Sequence, residues 1–218
     1  DPETGSVNPN ANLLYETDWL SQVTNENATR QEYQIYFNGG SEKSKIYSSI
    51  AYLDEEGLLK TTDFKRISGR IGAELTPRDW LNYGGNVSFA KTDTKFLGLG
   101  GSSTSNVWYS AQFMPSIYPV YVLDDQGKPV LSETGEKQFD YGKTRPSGAS
   151  PNWNPVATLF EDAYETAADN FSGRFHVKLL GSFLGQSFSG LSFTANVGFD
   201  YVNSNETTYW NPEFGNAS

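Results

Sequence analysis

The ionisable side chains that could carry chemistry occur at even spacings in two short segments of this chain, every fourth position in the first and every second position in the other. They are Arg66, Arg70, Glu74, Arg174, His176 and Lys178. His176 is the only histidine, so a nucleophile activated by a histidine base would depend on it. No G-x-S-x-G motif accompanies it, and one histidine in a chain without cysteines makes a poor metal site. We therefore expect no enzyme activity, no catalytic residue, no metal and no cofactor.

Two acidic segments contain carboxylates of the kind that bind Ca²⁺. Asp124 and Asp125 precede Gly127 in DDQGK, and DEEG at residues 54–57 is similar. A Ca²⁺ loop of the EF-hand type needs spaced oxygen ligands ending in a bidentate Glu, whereas DDQGK has only a turn pattern. The flanking YPVYVL and PVL therefore predict a hairpin at DDQGK, and DEEG predicts a solvated loop tip.

A long segment without alternation, residues 92–168, contains aromatic side chains that could bind a partner. The candidates for contact with a ligand or a partner protein are Trp108, Tyr109, Tyr118, Tyr121 and Trp153, together with Tyr141. Such side chains stack on sugar rings and dominate the energetics of protein interfaces. They also fold a long loop onto itself, and the sequence leaves both roles open.

Six segments place apolar residues at every second position, as strands with one apolar and one polar face do. LSFTANVGFDY (residues 191–201) is the most regular, and the others begin near residues 31, 46, 67, 81 and 171. The runs last about 9–12 residues, close to the 9–11 of a tilted strand that crosses a bilayer and longer than the usual 5–6. The six ionisable residues named first alternate onto the polar faces, so a transmembrane barrel would direct them into its lumen.

The connections between these strands are short, longer, short, very long and short. In an antiparallel meander, alternate connections lie at the same end, so all the short ones fall together. Outer-membrane barrels have this asymmetry, with short periplasmic turns and long extracellular loops. The pattern predicts an all-β antiparallel up-and-down meander, and since six strands cannot close a wide barrel, it predicts a sector of a larger one.

Composition limits the functional classes. The chain has 218 residues, a net charge of −10 and 15% aromatic residues. A nucleic-acid-binding surface would be basic, so we expect no nucleic-acid partner. A soluble β-sandwich module for carbohydrate binding or adhesion is the alternative to a barrel sector, and a passive porin is a third possibility.

Three groups of residues resemble the SusC/RagA family of TonB-linked outer-membrane receptors of Bacteroidetes. They are TDWL (17–20), NGGSEKSKIYSSIAYLDEEGLLKTTDFKRISGRIGAEL (38–75) and DWLNYGGNVSFA (79–90). PSIYPVYVLDDQGKPV (115–130) and NWNPVA (152–157) are similar to the long extracellular loop of that family. The order and spacing of GGSEK, YLDEEG and TDFKR make the resemblance specific, and it covers nearly the whole chain.

The resemblance implies a 22-stranded barrel, plugged by an N-terminal domain, in the bacterial cell outer membrane. Such receptors import oligosaccharides or peptides with energy delivered by the TonB complex, and a SusD-like lipoprotein covers them as a lid. This sequence has no counterpart of the plug or the TonB box. We therefore expect the chain to supply barrel wall, in contact with outer-membrane lipid, and extracellular loops.

The expected organisation follows the strands. It comprises a loop or short helix at 1–30, four barrel strands at 31–91, a long extracellular loop with a hairpin at 92–168, two barrel strands at 169–202 and the start of a further loop at 203–218. Short helices are predicted at residues 157–169 and around Trp19 to Val23. Tyr52, Phe64 and Trp80, near strand ends, are expected in the aromatic girdles at the membrane interfaces.

Overall fold

The computed structural model describes residues 16–97, 106–143 and 153–212. Its main feature is one six-stranded antiparallel sheet in which each strand pairs with the next along the chain. The strands are β1 (Arg30–Ser41), β2 (Ser44–Glu56), β3 (Asp63–Arg78), β4 (Leu81–Lys95), β5 (Ala163–Leu180) and β6 (Ser192–Tyr209). Three short helices accompany them, namely α1 (Trp19–Val23), α2 (Val107–Phe113) and α3 (Pro155–Glu161). The prediction of an antiparallel meander is confirmed.

The register joins the apolar alternation of the separate strands into one continuous face, called here the apolar face. One row of directly opposed residues crosses all six strands and consists of Ile35, Ile50, Gly69, Phe89, Phe171 and Tyr201. Neighbouring rows contain Ile71 beside Val87, and Phe175 beside Val197. Because opposed residues in a ladder share a face, this register is the one that keeps all the apolar runs together.

Phenylalanines on the apolar face lie over glycines of the preceding strand. The opposed pairs are Gly69 with Phe89, Gly85 with Phe175, and Gly173 with Phe199. A Cβ added to any of these three glycines would lie 2.3–2.5 Å from the facing ring. Each ring therefore occupies space that only glycine leaves free, and this helps to fix the pairing register.

Alternate connections of the meander lie at opposite ends of the sheet. The β1–β2 and β3–β4 turns have two residues each, Glu42 with Lys43 and Asp79 with Trp80. The β5–β6 turn, residues 181–191, lies at the same end. The opposite end has the loops 57–62 and 96–162. The predicted asymmetry holds for the two-residue turns and for the loop 96–162, but the eleven-residue β5–β6 turn is longer than the six-residue loop 57–62 at the opposite end.

The strands extend further at the long-loop end than the apolar pattern predicts. Thr92 to Lys95 pair with residues 165–168, so the long loop covers residues 96–162 rather than 92–168. α3 ends at Glu161 and residues from Ala163 onward form β5, so a helix at 157–169 is wrong in its second half. β6 likewise runs to Tyr209, beyond the predicted end at 202. These extensions are polar on both faces and carry no apolar alternation.

The buried core lies beside the sheet at its long-loop end. It is formed by Trp19, Val23, Val107, Ala111, Met114, Val120, Val156 and Leu159. The three helices pack against one another there, and α1 occupies the segment in which a short helix is predicted. Within the described ranges, no helix has the length and hydropathy to cross a membrane. We call this unit the loop core.

The apolar face of the sheet, in contrast, is exposed. Ile35 is 73% exposed and Val197 is 67% exposed. A β-sandwich would cover such a face with a second sheet, and the residues that the structure describes form only one multistranded sheet. The sandwich alternative is therefore wrong for this part of the chain.

Candidate functional site

The six predicted lumen residues all lie on the polar face of the sheet, opposite the apolar face. Register places Arg70 opposite Ser49 and Ser88, and Arg174 opposite Asn86 and Gly198. The other four occupy equivalent even-numbered positions of the same strands, namely Arg66, Glu74, His176 and Lys178. The sheet therefore brings together side chains that are up to about a hundred residues apart in the sequence. That this face lines a lumen stays a prediction.

Ion pairs connect the polar face near the long-loop end. Arg30 contacts Glu32 at 2.8 Å and Glu55 at 3.1 Å, and Arg66 contacts Glu32 at 3.7 Å. All four side chains are more than a third exposed, so each pair adds little stability by itself. Their effect is to hold the guanidinium groups across β1, β2 and β3.

Arg174 lies across β6 and forms the most complete ion pair of the sheet. Its Nη2 contacts both carboxylate oxygens of Asp200, at 2.8 and 3.1 Å, and its Nη1 donates to two backbone carbonyls. A Cβ at the opposed Gly198 would lie 2.7 Å from the arginine stem. The glycine thus leaves the space through which the side chain reaches Asp200.

His176 belongs to a hydrogen-bonded chain of polar side chains. Asn82 donates from Nδ2 to Glu74 Oε1 and to Thr76 Oγ1, both at 3.0 Å. Its Oδ1 lies 3.0 Å from His176 Nε2. Since this oxygen can only accept, His176 donates from Nε2 and the proton of a neutral ring is on that nitrogen. The histidine therefore has a structural partner, and no nucleophile is placed against it by these contacts.

Arg70 lies at the centre of the polar face in a shallow cavity of about 360 Å³. The lining is rich in hydroxyl and amide groups from Gln34, Ser49, Ser68, Ser88, Asn170 and Ser172. Within the part of the chain that the structure describes, no ion pair to Arg70 forms. Its guanidinium is consequently available to an anionic or carbonyl group approaching this face.

Tyrosine hydroxyls mark the long-loop edge of the apolar face. Tyr33 and Tyr52 are directly opposed, and their hydroxyls donate to Gln31 and Asp54 at 3.1 and 3.0 Å. Both acceptors lie two residues nearer the long-loop end. In the aromatic girdle of a membrane barrel, each ring lies at the edge of the apolar face and its hydroxyl reaches polar groups, as the hydroxyls of these two tyrosines do. Phe64 does not join it, because the register places it opposite Glu55 on the polar face, so that prediction is wrong.

Asn154 organises the loop core. This side chain is fully buried and caps α3, its Oδ1 accepting from the backbone N–H groups of Val156 and Ala157. Its Nδ2 donates to the carbonyl oxygens of Val120 and Asp140 at 2.8 and 3.1 Å. Every hydrogen-bonding position of the amide is used, and three distant segments are joined. Sequence analysis missed this residue, although Asn before Pro-Val is an N-cap signal.

The loop core separates the predicted aromatic contact residues into two groups. Tyr118, Tyr121 and Trp153 pack against its buried residues. Trp108 and Tyr109, on α2, are 40% and 45% exposed. Tyr109 contacts the exposed Phe113 one helical turn later, with ring centroids 4.5 Å apart. α2 therefore presents an aromatic surface, called here the α2 aromatic surface, formed by Trp108, Tyr109 and Phe113.

The DDQGK segment forms the predicted hairpin. Leu123 pairs with Pro129, and Gly127 adopts a positive φ of 75° in the turn. Asp124 Oδ1 accepts from the backbone N–H groups of Gln126 and Lys128, both at 2.9 Å. These bonds are those of an Asx-type turn, so Asp124 has a structural role here.

Polar contacts join the long loop to the end of β6. Asn211 donates from its backbone to Asp162 Oδ1 at 2.8 Å and from its side chain to Glu161 Oε2 at 2.6 Å. Partial burial raises the pKa of Asp162, and the hydrogen bond from Asn211 opposes that effect only in part. Tyr141 also donates to the Glu161 carboxylate. These groups connect the loop core to the strands.

The chain is similar to receptors of known sequence. No family model matches the chain. It is 25% identical over 211 residues to the TonB-dependent receptor SusC of Bacteroides thetaiotaomicron, covering 92% of this chain and 20% of SusC. It is 23% identical over 145 residues to the TonB-dependent receptor P26 of Formosa agariphila, covering 66% of this chain and 12% of P26.

Solved structures give the same result for the fold. The RagAB peptide transporter matches with a TM-score of 0.67 and 23% identity over 95% of this chain and 21% of that chain. The RagAB peptide importer in its open-open state matches with a TM-score of 0.63 and 24% identity over 88% of this chain and 19% of that chain. The chain spans about a fifth or less of the relatives it matches. The predicted resemblance and the predicted sector of a barrel are confirmed.

Proposed function

We propose that this chain forms wall and extracellular loops of an outer-membrane importer. The premise is that the chain is a SusC/RagA-like segment of a TonB-dependent receptor. Its substrates are oligosaccharides or peptides, its lid is a SusD-like lipoprotein, and TonB drives it through a plug. The relatives named above support a transporter rather than an enzyme. One observation carries the proposal: the continuous, exposed apolar face of the sheet.

The height of the apolar face supports its contact with lipid. Residues 191–201 take ten steps of about 3.4 Å, which gives about 34 Å along the strand. At a tilt of about 40°, this corresponds to a depth of about 26 Å, close to the roughly 25 Å apolar band of outer-membrane barrels. The edge strands β1 and β6 each have one neighbour within the described residues. Unpaired backbone groups are not tolerated in hydrocarbon, so further strands must complete both edges.

Polar residues on the same side of the sheet mark where the strands leave the bilayer. Beyond the tyrosine girdle, Lys65 contacts Asp54 and Lys95 contacts Glu165, at 3.8 and 3.4 Å. Charged pairs of this kind belong in water or among headgroups rather than in hydrocarbon. Because outer-membrane barrels have their long loops outside the cell, the long-loop end is assigned to the cell exterior and the loop core to the mouth of the importer.

The α2 aromatic surface is the candidate contact for substrate or lid. Its rings are exposed on a helix held by the loop core, and Asn106 caps that helix through a 2.9 Å bond to the Tyr109 N–H. Exposed aromatics on a rigid support are the usual anchors of interfaces and sugar sites. Arg70 and the other polar-face residues are assigned to the lumen, where they meet the plug or the passing substrate.

Fractionation and uptake test the proposal. The full-length receptor should be recovered in the outer-membrane fraction, and deletion of its gene should abolish growth on one class of oligosaccharide or peptide. Trp108→Ala should reduce uptake or lipoprotein binding, whereas Leu131→Ala, exposed on the hairpin of the same loop, should not. Recovery in the soluble fraction, or uptake unaffected by deletion on all substrates, would refute it.

A further inference from the structure

The β5–β6 turn differs from the other two turns at its end of the sheet. Residues 181–191 contain eleven positions where the others have two, and none of the eleven is ionisable. Four large apolar side chains of this turn are exposed. They are Phe183 at 48%, Leu184 at 61%, Phe188 at 46% and Leu191 at 63%. A turn built only to reverse the chain in water does not need them.

The backbone of this turn hydrogen-bonds largely to itself. Gly181 donates to the Leu191 carbonyl at 2.8 Å, and Leu191 donates to that of Phe188 at 2.9 Å. Two 3-10 turns, Gly181–Leu184 and Gln186–Phe188, supply further bonds. A Cβ at Gly181 would lie 2.1 Å from the Phe188 carbonyl oxygen, so the turn is closed tightly at its base. Because the backbone groups of this turn are already hydrogen-bonded to one another, moving the turn out of water costs less free energy.

The exposed side chains are continuous with the apolar face. Leu191 directly precedes β6 and continues the alternation of Phe193, Ala195 and Val197. The ring of Phe183 lies 5.6 Å from that of Trp80, which belongs to the β3–β4 turn and accepts a backbone bond from Leu180. The turn thus extends the apolar face past the last ladder pair of β5 and β6.

We propose that the β5–β6 turn binds the lipid surface, with Phe183, Leu184 and Phe188 inserted at the boundary of headgroups and acyl chains in the periplasmic leaflet. The occupant is lipid because the surface is uncharged and continues a face already assigned to lipid. Amphipathic segments with exposed Phe and Leu bind this boundary. The inference rests on the proposed function, because it takes the apolar face to meet the bilayer.

Depth-dependent quenching tests this assignment. Leu184→Cys in a cysteine-free full-length receptor is labelled with bimane and reconstituted into vesicles of lipids with brominated acyl chains. We expect bromolipid to quench this label several-fold more than a label at Glu42→Cys, in the polar β1–β2 turn at the same end. Aqueous iodide should show the reverse order. Phe188→Cys supplies a second site should the first variant assemble poorly.

Two results would overturn the assignment. Iodide access at residue 184 equal to that at residue 42 would show a turn in water, and protection from both quenchers would show a protein contact, including one with another copy. A label at Val197→Cys, on the apolar face, separates this failure from a failure of the proposed function. Quenching by bromolipid at 197 without quenching at 184 refutes only the inference, whereas no quenching at either site refutes both.

Discussion

Substitution of Val197 by Arg is expected to destabilise the membrane-inserted receptor strongly. Val197 lies near the middle of the apolar run 191–201, is 67% exposed and lies opposite Phe175. The nearer end of the run is four residues away, which is about 14 Å along the strand and about 10 Å in depth at a tilt of about 40°. An arginine at such a depth costs about 2–4 kcal/mol, compared with about 0–1 kcal/mol near the interface.

Two matched arginines control for position and for face. Asn203→Arg lies on the same side of β6 beyond the apolar run, and we expect it to cost about 0–1 kcal/mol. Asn196→Arg lies on the polar face opposite His176, and it should cost much less than Val197→Arg. Val87→Arg and Asn86→Arg repeat the comparison in β4, where Val87 faces Ile71.

The assay is urea unfolding of the full-length receptor in lipid vesicles, followed by tryptophan fluorescence and by loss of the compact electrophoretic form. The expected order of destabilisation is Val197→Arg well above Asn203→Arg and Asn196→Arg. Equal losses for Val197→Arg and Asn196→Arg would refute the lipid contact of the apolar face, because both faces of β6 would then meet the same environment.

Three further predictions concern the loop core and the sheet. Asn154→Ala should remove the four hydrogen bonds of this amide, two of which cap the buried N–H groups of Val156 and Ala157, and should destabilise the loop core by about 2–4 kcal/mol. The expected result is faster protease cleavage of the long loop while the barrel still resists urea; unchanged cleavage would contradict the assigned role. Gly85→Ala should lower the free energy of unfolding by about 1–3 kcal/mol because its Cβ would overlap the Phe175 ring. In a double-mutant cycle, the same substitution should cost less when Phe175 is replaced by Leu. Additive losses of stability would contradict this overlap. Burial raises the pKa of Asp162, so the folded loop binds a proton more tightly than the unfolded chain does. The stability of the folded loop should therefore fall as the pH rises from the ordinary carboxyl pKa through the raised pKa of Asp162. Asp162→Asn keeps an oxygen for Asn211 and should remove that dependence, measured as protease cleavage of the long loop at several pH values; an unchanged pH profile would contradict it.

Alternation of apolar residues predicts the strands wherever one face is apolar, and it fails where both faces are polar. Residues 193–201 are assigned correctly because Phe193, Val197 and Tyr201 stand out against Thr194 and Asn196. The extension of β4 from Thr92 to Lys95 gives no such signal. Its strand conformation follows from continuing the ladder with β5, which is a tertiary cause.

The polar-face residues could be assigned to a face from alternation, but their partners could not. Arg174 pairs with Asp200 only because the β5–β6 register places them diagonally across Gly198. Likewise, nothing local to Tyr118 or Trp153 shows that they pack on the loop core while Trp108 stays exposed. Such outcomes depend on packing between distant segments of the chain.

A nitroxide scan of β6 measures directly whether one face of the sheet meets lipid while the other does not. Single labels at residues 192–202 of the full-length receptor in its membrane would be compared for collision with oxygen, which concentrates in lipid, and with a water-soluble nickel complex. We predict a period of two residues, with oxygen maxima at the odd positions from Phe193 to Tyr201 and minima at the even positions from Ser192 to Val202. Oxygen maxima at the even positions, or a profile without alternation, would contradict contact between the apolar face and lipid.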